Sequence, residues 1–337
     1  MNRRTFLRRT ALAGTVGLGL AGWGPSHALA EPPPETRKLK LRESPVTCTA
    51  PEYVAKELLH SEGFTELQYI KWDPALGTAA QVASGEVDLS VSFVPTNILH
   101  IDAGDPLVIL AGSHIGCVEL VASSGVKSTR ELKGKTVAPG GVDGNVFISM
   151  FVAHVGLDPH KDINWKDINW VTTSSGVERA RLLTEGKIDA FFTGPPFSQE
   201  LREKKIGHVL VNTTTDKPWS QYFCCLVTSN KEFVRKHPVA TKRALRAIVK
   251  AADVCALEPN RVARVIADKG LSGYEYALQM LREIPYGKWR QYDPEDTVRF
   301  FALRMHDVGI IKSSPQTIIA QGTDWRFLNE LKRELKG

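Results

Sequence analysis

Gly85-Glu86-Val87-Asp88-Leu89-Ser90-Val91-Ser92-Phe93-Val94-Pro95 is echoed 101 residues later by Gly186-Lys187-Ile188-Asp189-Ala190-Phe191-Phe192-Thr193-Gly194-Pro195-Pro196. In both copies a glycine stands where a helix must end in a left-handed residue. A short apolar run then reads as a buried strand, and a proline sits where the next helix can begin. Two such units at one constant offset predict a duplicated α/β plan, one copy per lobe.

Outward from the first copy, apolar Leu39 to Val46 reads as a strand, Pro51 to His60 as a helix and Leu67 to Trp72 as an edge strand, before a helix that ends at Gly85. Around the second copy, Lys135 to Ala138 and Ile168 to Thr172 read as strands, Asn145 to Val155 and Val177 to Glu185 as helices. Strands alternating with helical patterns define the α/β class with parallel-rich sheets. From Tyr222 to Thr228 the chain is again strand-like and then helical to its end. There Pro238 sits at a helix start, and Leu245, Ile248, Val249 and Ala252 recur at helical spacing. The expected layout is residues 39–121 with 223–337 as lobe 1 and residues 122–222 as lobe 2, with crossover strands near Leu110 to Val121 and Tyr222 to Thr228. Lys161-Asp162-Ile163-Asn164-Trp165 is repeated at once as Lys166 to Trp170, a period of neither helix nor strand, and reads as a lengthened surface loop.

Residues 1–30 belong to targeting rather than folding. Arg3-Arg4-Thr5-Phe6-Leu7 resembles a twin-arginine export signal; a Gly- and Ala-rich apolar stretch follows, and Ala28-Leu29-Ala30 fits a cleavage site. Export through the twin-arginine translocase to the periplasm, cleavage after Ala30 and no lipid anchor are expected, since no cysteine follows the apolar stretch. Residues 31–38, rich in proline and charge, read as a flexible leader. The leading thirty residues hold four arginines and no acids, so of 43 basic residues 39 remain against 37 acidic. That balance gives no warrant for nucleic-acid binding. A chain of this length exceeds one ordinary core, which agrees with two lobes, and a monomer is expected.

Leu132-Lys133-Gly134-Lys135-Thr136-Val137-Ala138, the paired Gly-x-(Ile/Val)-Asp segments and Phe233-Val234-Arg235-Lys236-His237-Pro238 resemble the sulfonate, nitrate, taurine and thiamine-pyrimidine-precursor branch of ABC-importer solute-binding proteins. The resemblance spans nearly all of the chain after the leader. It implies a two-lobed periplasmic-binding-protein fold of type II, with two crossovers closing over a small-molecule ligand that is passed to an ABC-transporter permease in the inner membrane. The same fold carries two other readings: a thiamine-pyrimidine-synthase-like enzyme, echoed faintly by Tyr222-Phe223-Cys224-Cys225-Leu226, and a periplasmic ligand sensor.

In open α/β sheets ligands sit beyond the carboxyl ends of the strands, where helix N-termini present free N–H groups. That rule selects Thr47, Cys48 and Thr49; Phe93, Pro95, Thr96 and Asn97; and Ser113 with His114 in the first lobe. In the second lobe it selects Gly140, Gly141, Val142, Gly144 and Asn145, then Ser174 and Ser175, and Thr193 with Gly194. Phe93, Trp219 and Tyr222 are candidates for stacking on a ring. Asp143 opposes an anion if it points inward, and these loops hold no arginine clamp, which weighs against a sulfonate.

Catalytic signatures are lacking. Gly17, Gly19 and Gly22 fall in the targeting segment, and Gly134-Lys135-Thr136 is preceded by Thr129 where a phosphate loop needs glycine. No cofactor and no metal are expected: His114 and Cys117 have a ligand-like spacing without a partner pair in sequence. Five cysteines, at 48, 117, 224, 225 and 255, read best as buried free thiols. One disulfide among Cys48, Cys117, Cys255 and a member of the Cys224-Cys225 pair stays open.

Overall fold

The chain runs through ten strands in two sheets, in a computed structural model that describes residues 31–335 apart from 45, 74–75, 156–167 and 174. The expected export signal, most of the Lys161 to Trp170 duplication and Ser174 lie outside the described residues. Strands β1 (Lys38–Glu43), β2 (Glu66–Lys71), β3 (Leu89–Phe93) and β4 (Leu107–Ile115) lead to a crossover at residues 116–118. Then come β5 (Glu119–Ala122), β6 (Thr136–Ala138), β7 (Asn169–Trp170), β8 (Ala190–Thr193) and β9 (His208–Asn212), and a second crossover returns the chain to β10 (Phe223–Asn230).

The sheet orders are β2-β1-β3-β10-β4 and β7-β6-β8-β5-β9. In each, four strands point the same way, and the strand that has just crossed from the other lobe inserts antiparallel beside the central one. The sheets are therefore mixed, because a strand arriving from the other lobe enters from the opposite end. The expected strand Leu110 to Val121 is two strands in different sheets, so Glu119 to Val121 pair in the second sheet rather than the first.

The duplicated segments become β3 and β8, each central in its sheet. Gly85 and Gly186 end the preceding helices at φ +75° and +68°, values that a side chain would strain. The aspartates of the repeat tie neighbouring strands together. The Asp88 carboxylate accepts from the Lys40 N–H at 2.8 Å while its own N–H donates to the Lys40 carbonyl, and Asp189 repeats both bonds with Thr136. Lys40 and Lys135 add an ion pair to each aspartate, at 3.4 and 3.9 Å.

Strands β4 and β10 are buried along their whole length, because helices cover both faces of the first sheet. The helix expected over Pro51 to His60 is broken into Ala50–Val54 and Lys56–Ser61. Helices after Asn230 pack mainly on the first lobe: Pro238–Leu257 against those two short helices, and Arg326–Glu334 against β4. Two reach across. Tyr274–Glu283 touches Phe197–Glu203, and Pro294–Asp307 touches Val142–His154. Residues 31–37 lack regular structure, yet Glu35 caps the Pro238–Leu257 helix by accepting from the Val239 and Ala240 N–H groups at 2.9 and 2.8 Å. Among the described residues no helix is long and apolar enough to cross a membrane.

Candidate functional site

A cleft of about 320 Å³ opens where the carboxyl ends of β1, β2 and β3 face the loop after β6. One wall carries Arg42, Cys48, Thr49, Trp72, Thr78, Ser92, Phe93 and Thr96; the other carries Gly140, Gly141, Val142 and Asp143. Parallel strands deliver these loops to one edge, the position at which open α/β sheets hold ligands.

Arg42 is 3% exposed, and its charge is already matched. Its guanidinium donates to the fully buried Glu52 carboxylate at 3.4 Å, to the Val91 carbonyl at 3.1 Å and to Thr78 Oγ1. Glu52 also accepts from the Val91 N–H at 2.8 Å and from Ser90 Oγ at 2.7 Å. Burial pushes the Glu52 carboxyl up, against the pull of Arg42 and those hydrogen bonds. Within the Arg42 guanidinium, Nε is the nitrogen buried without a partner. Across the cleft, Asp143 takes a hydrogen bond from Thr96 Oγ1. Burial pushes its carboxyl up to about 6, that hydrogen bond opposing. The aromatic and hydroxyl walls thus enclose one carboxylate and one neutralised arginine, a poor trap for an anion and a good one for a ring bearing hydrogen-bond donors.

Of the loops selected from sequence, the cleft brings together Cys48, Thr49, Phe93, Thr96, Gly140, Gly141 and Val142. The others lie elsewhere. Thr47 is fully buried behind its neighbours, Pro95 is buried in the first turn of the Val94–Asp102 helix, and Asn97 is spent on Ser92, whose Oγ donates to it at 2.7 Å. Ser113 is buried on β4 and His114 lies under the cleft floor. Gly144 packs so tightly at the start of its helix that a Cβ would stand 1.9 Å from the Pro139 carbonyl oxygen, and Asn145 is exposed beyond it. Ser175 caps the Gly176–Thr184 helix by accepting from the Glu178 N–H at 3.1 Å. Thr193 ends β8, buried, and Gly194 lies against Val118 at the first crossover. Tyr222 stacks on Phe300 at 3.8 Å between centroids, and Trp219 is buried against Phe151 and Phe300. Neither ring lines the cleft, because their hydrophobic area is used where the second crossover rejoins the lobe.

Sequence reasoning missed Arg42, Trp72, Thr78 and Cys225. Trp72 follows β2 directly, so the strand-end rule reaches it; Arg42 sits within β1, where nothing in the pattern marks a charged residue as buried. The partners of His114 and Cys117 were also invisible. Cys48 and Cys225 join them to form a buried cluster whose ligand atoms lie within 4.8 Å of one another.

The lobes are also latched by an ion-pair network. Arg202 of the Phe197–Glu203 helix bonds Glu119 on β5 and forks onto Glu283 of the Tyr274–Glu283 helix at 2.7 and 2.6 Å. Gln199 Nε2 donates to Glu283 at 2.9 Å.

Two mixed sheets joined by two crossovers around such a cleft define the two-lobed periplasmic-binding-protein fold. The periplasmic nitrate-binding protein NrtA from Synechocystis PCC 6803 has the same architecture, with a TM-score of 0.74 at 17% identity over 90% of each chain. Residues 32–268 match the model of the NMT1-like family, and the chain belongs to that family. The bicarbonate-binding protein CmpA of Synechococcus elongatus is 25% identical over 161 residues, 48% of this chain and 34% of CmpA. The 4-amino-5-hydroxymethyl-2-methylpyrimidine phosphate synthase THI5 of Saccharomyces cerevisiae is 27% identical over 192 residues, 53% of this chain and 54% of the synthase. The chain thus spans between a third and about half the length of these curated relatives.

Proposed function

We propose that this chain is the periplasmic solute-binding component of an ABC importer, which captures a small organic molecule in the interlobe cleft and passes it unchanged to a membrane permease. The carrying observation is the cleft, walled from two lobes that are joined by only two crossovers and held shut by polar contacts that can open. Hinge closure buries a small ligand best in such an arrangement. The named roles of NrtA and CmpA support the same reading. Export by the twin-arginine route, with the mature chain starting at Glu31, puts the protein where an importer needs it.

Within the ligand classes that the family resemblance implies, a pyrimidine-like ring suits the walls better than sulfonate, taurine or nitrate. Trp72 and Phe93 offer ring faces, Asp143 accepts from ring N–H or amino groups, and Arg42 has no charge to spare. In this reading residues 223–337 move with the first sheet, and the second sheet moves as a body about the crossovers.

A thermal-shift screen of pyrimidines, alkanesulfonates, nitrate and bicarbonate tests this, since a ligand that binds only the folded state raises its melting temperature. A pyrimidine that stabilises the protein is expected to lose affinity about fivefold or more in Trp72→Ala, as one buried stacking contact contributes about 1 kcal/mol or more. Failure of every pyrimidine, with a sulfonate or nitrate binding tightly, refutes the ligand class. The likeness to the yeast synthase favours a second, enzymatic reading. Conversion of the bound molecule, followed by mass spectrometry, decides for it and against simple capture.

A further inference from the structure

We propose that Cys48, His114, Cys117 and Cys225 form a closed Cys₃His site for a thiophilic tetrahedral metal ion of the zinc class, which ties the hinge to the floor of the cleft. The four residues come from three distant parts of the chain. Cys48 sits in the turn Thr47–Thr49 after β1, His114 near the end of β4, Cys117 on the first crossover and Cys225 on β10 just after the second. All four are at least 96% buried, and their ligand atoms lie within 4.8 Å of one another. A tetrahedral zinc ion, with Zn–S near 2.3 Å and Zn–N near 2.0 Å, needs ligand separations of about 3.5 to 3.8 Å. The cluster has only to contract by about 1 Å around the ion.

A buried free cysteine is ordinarily a small hydrophobe, and Cys255 fits that description, fully buried on the Pro238–Leu257 helix apart from the other thiols. The cluster differs because it is built around an imidazole nitrogen with no hydrogen-bond partner. His114 is fully buried, and its Nδ1 faces the carbonyls of Ile115 and Gly116 at 3.4 and 3.3 Å. An Nδ1–H held by backbone carbonyl leaves the lone pair on Nε2, the arrangement that prepares a histidine to ligate. That Nε2 is buried without any hydrogen-bond partner. Tyr286 fixes both sides of the site: its ring packs edge-on to His114 at 5.3 Å and its hydroxyl donates to the Cys48 carbonyl at 3.0 Å.

Three sulfurs and one imidazole, with no carboxylate, select a soft or borderline metal over calcium or magnesium. Four protein ligands leave no open position, so the ion is a staple rather than a catalyst. Its place gives it a role in closure. Cys117 lies between the lobes, with its N–H bonded at 3.1 Å to Thr213 Oγ1 of the second crossover, while Cys48 and Cys225 line the cleft. Occupancy therefore couples hinge geometry to the residues that meet the ligand.

The full mature chain, purified without oxygen and without chelator, is expected to carry one equivalent of zinc by elemental analysis. Cobalt(II) added to metal-free protein should give the absorption of a tetrahedral thiolate site. His114→Gln and Cys225→Ser should each drop the stoichiometry below about a tenth, whereas Cys255→Ser should keep it. The cobalt spectrum of the unaltered chain reads out coordination even if a variant fails to fold. Cys224 supplies the opposing outcome, since its Sγ lies 3.3 Å from that of Cys117. A Cys117–Cys224 disulfide in native protein, or a metal-free chain that takes up neither zinc nor cobalt with its thiols reduced, overturns the site.

Discussion

Arg202→Ala removes the latch between the lobes, and its cost should depend on pH. The fork onto Glu283 is partly exposed, with 27% and 37% of the two side chains accessible, so its loss costs about 0.5 to 1 kcal/mol. Glu119 is the larger matter. It is 3% exposed, its Oε2 is buried without a partner, and once Arg202 is gone the Asn212 amide at 3.1 Å is the remaining hydrogen bond to its other oxygen. Burial pushes its carboxyl up to about 7 even with Arg202 pulling down. A folded-state value above the unfolded one means that the native protein holds a proton the unfolded chain has released, so stability falls as pH rises through that window. Without Arg202 the folded value climbs further and the window extends upward. The variant should therefore lose about 2 to 4 kcal/mol near pH 8, where a buried charge is left unpaired, but only about 1 kcal/mol near pH 5.5, where Glu119 is neutral. Urea melts of both proteins at the two pH values read the difference directly. Equal losses at both, or an undiminished loss near pH 8 when Glu119 is first replaced by glutamine, would refute the assignment.

Three further outcomes follow from the packing around the cleft. Gly144→Ala should cost about 3 kcal/mol in a thermal melt, because its Cβ would meet the Pro139 carbonyl and a Phe192 ring carbon at 1.9 and 3.0 Å, so backbone must move; a neutral change would mean that the loop has slack. Asp143→Asn should raise stability at neutral pH by about 1 kcal/mol, discounted for its partial exposure. The wild-type carboxyl, near 6 when folded against 3.8 ordinarily, loses stability as pH rises between those values, and the variant should show a flat profile there in chemical denaturation. Glu52→Gln should cost about 3 to 5 kcal/mol, since it strands the buried Arg42 charge; a drop below about 1 kcal/mol in urea melts would show that Arg42 finds another countercharge.

The duplicated plan was legible because its signals are local. A left-handed glycine, a buried strand and a helix-starting proline each depend on a few adjacent residues, and their recurrence from Gly85 and Gly186 carried the α/β class and two lobes. The strand-end rule selected Cys48, Thr49, Phe93, Thr96 and Gly140 to Val142, which line the cleft, because it depends only on where strands stop.

The tertiary structure alone decided how those pieces are used. Tyr222 reads like a ligand-stacking residue in sequence, but the Pro294–Asp307 helix brings Phe300 against its face and takes that role away. Arg42 is buried and neutralised only because the chain folds Glu52 back beneath β3. His114 and Cys117 look isolated until β10 and the turn after β1 carry Cys225 and Cys48 to them. Burial and coordination are set by which distant segments come to share a volume. Single-residue spacing therefore determined the elements of this protein, and the crossing of its two lobes determined its chemistry.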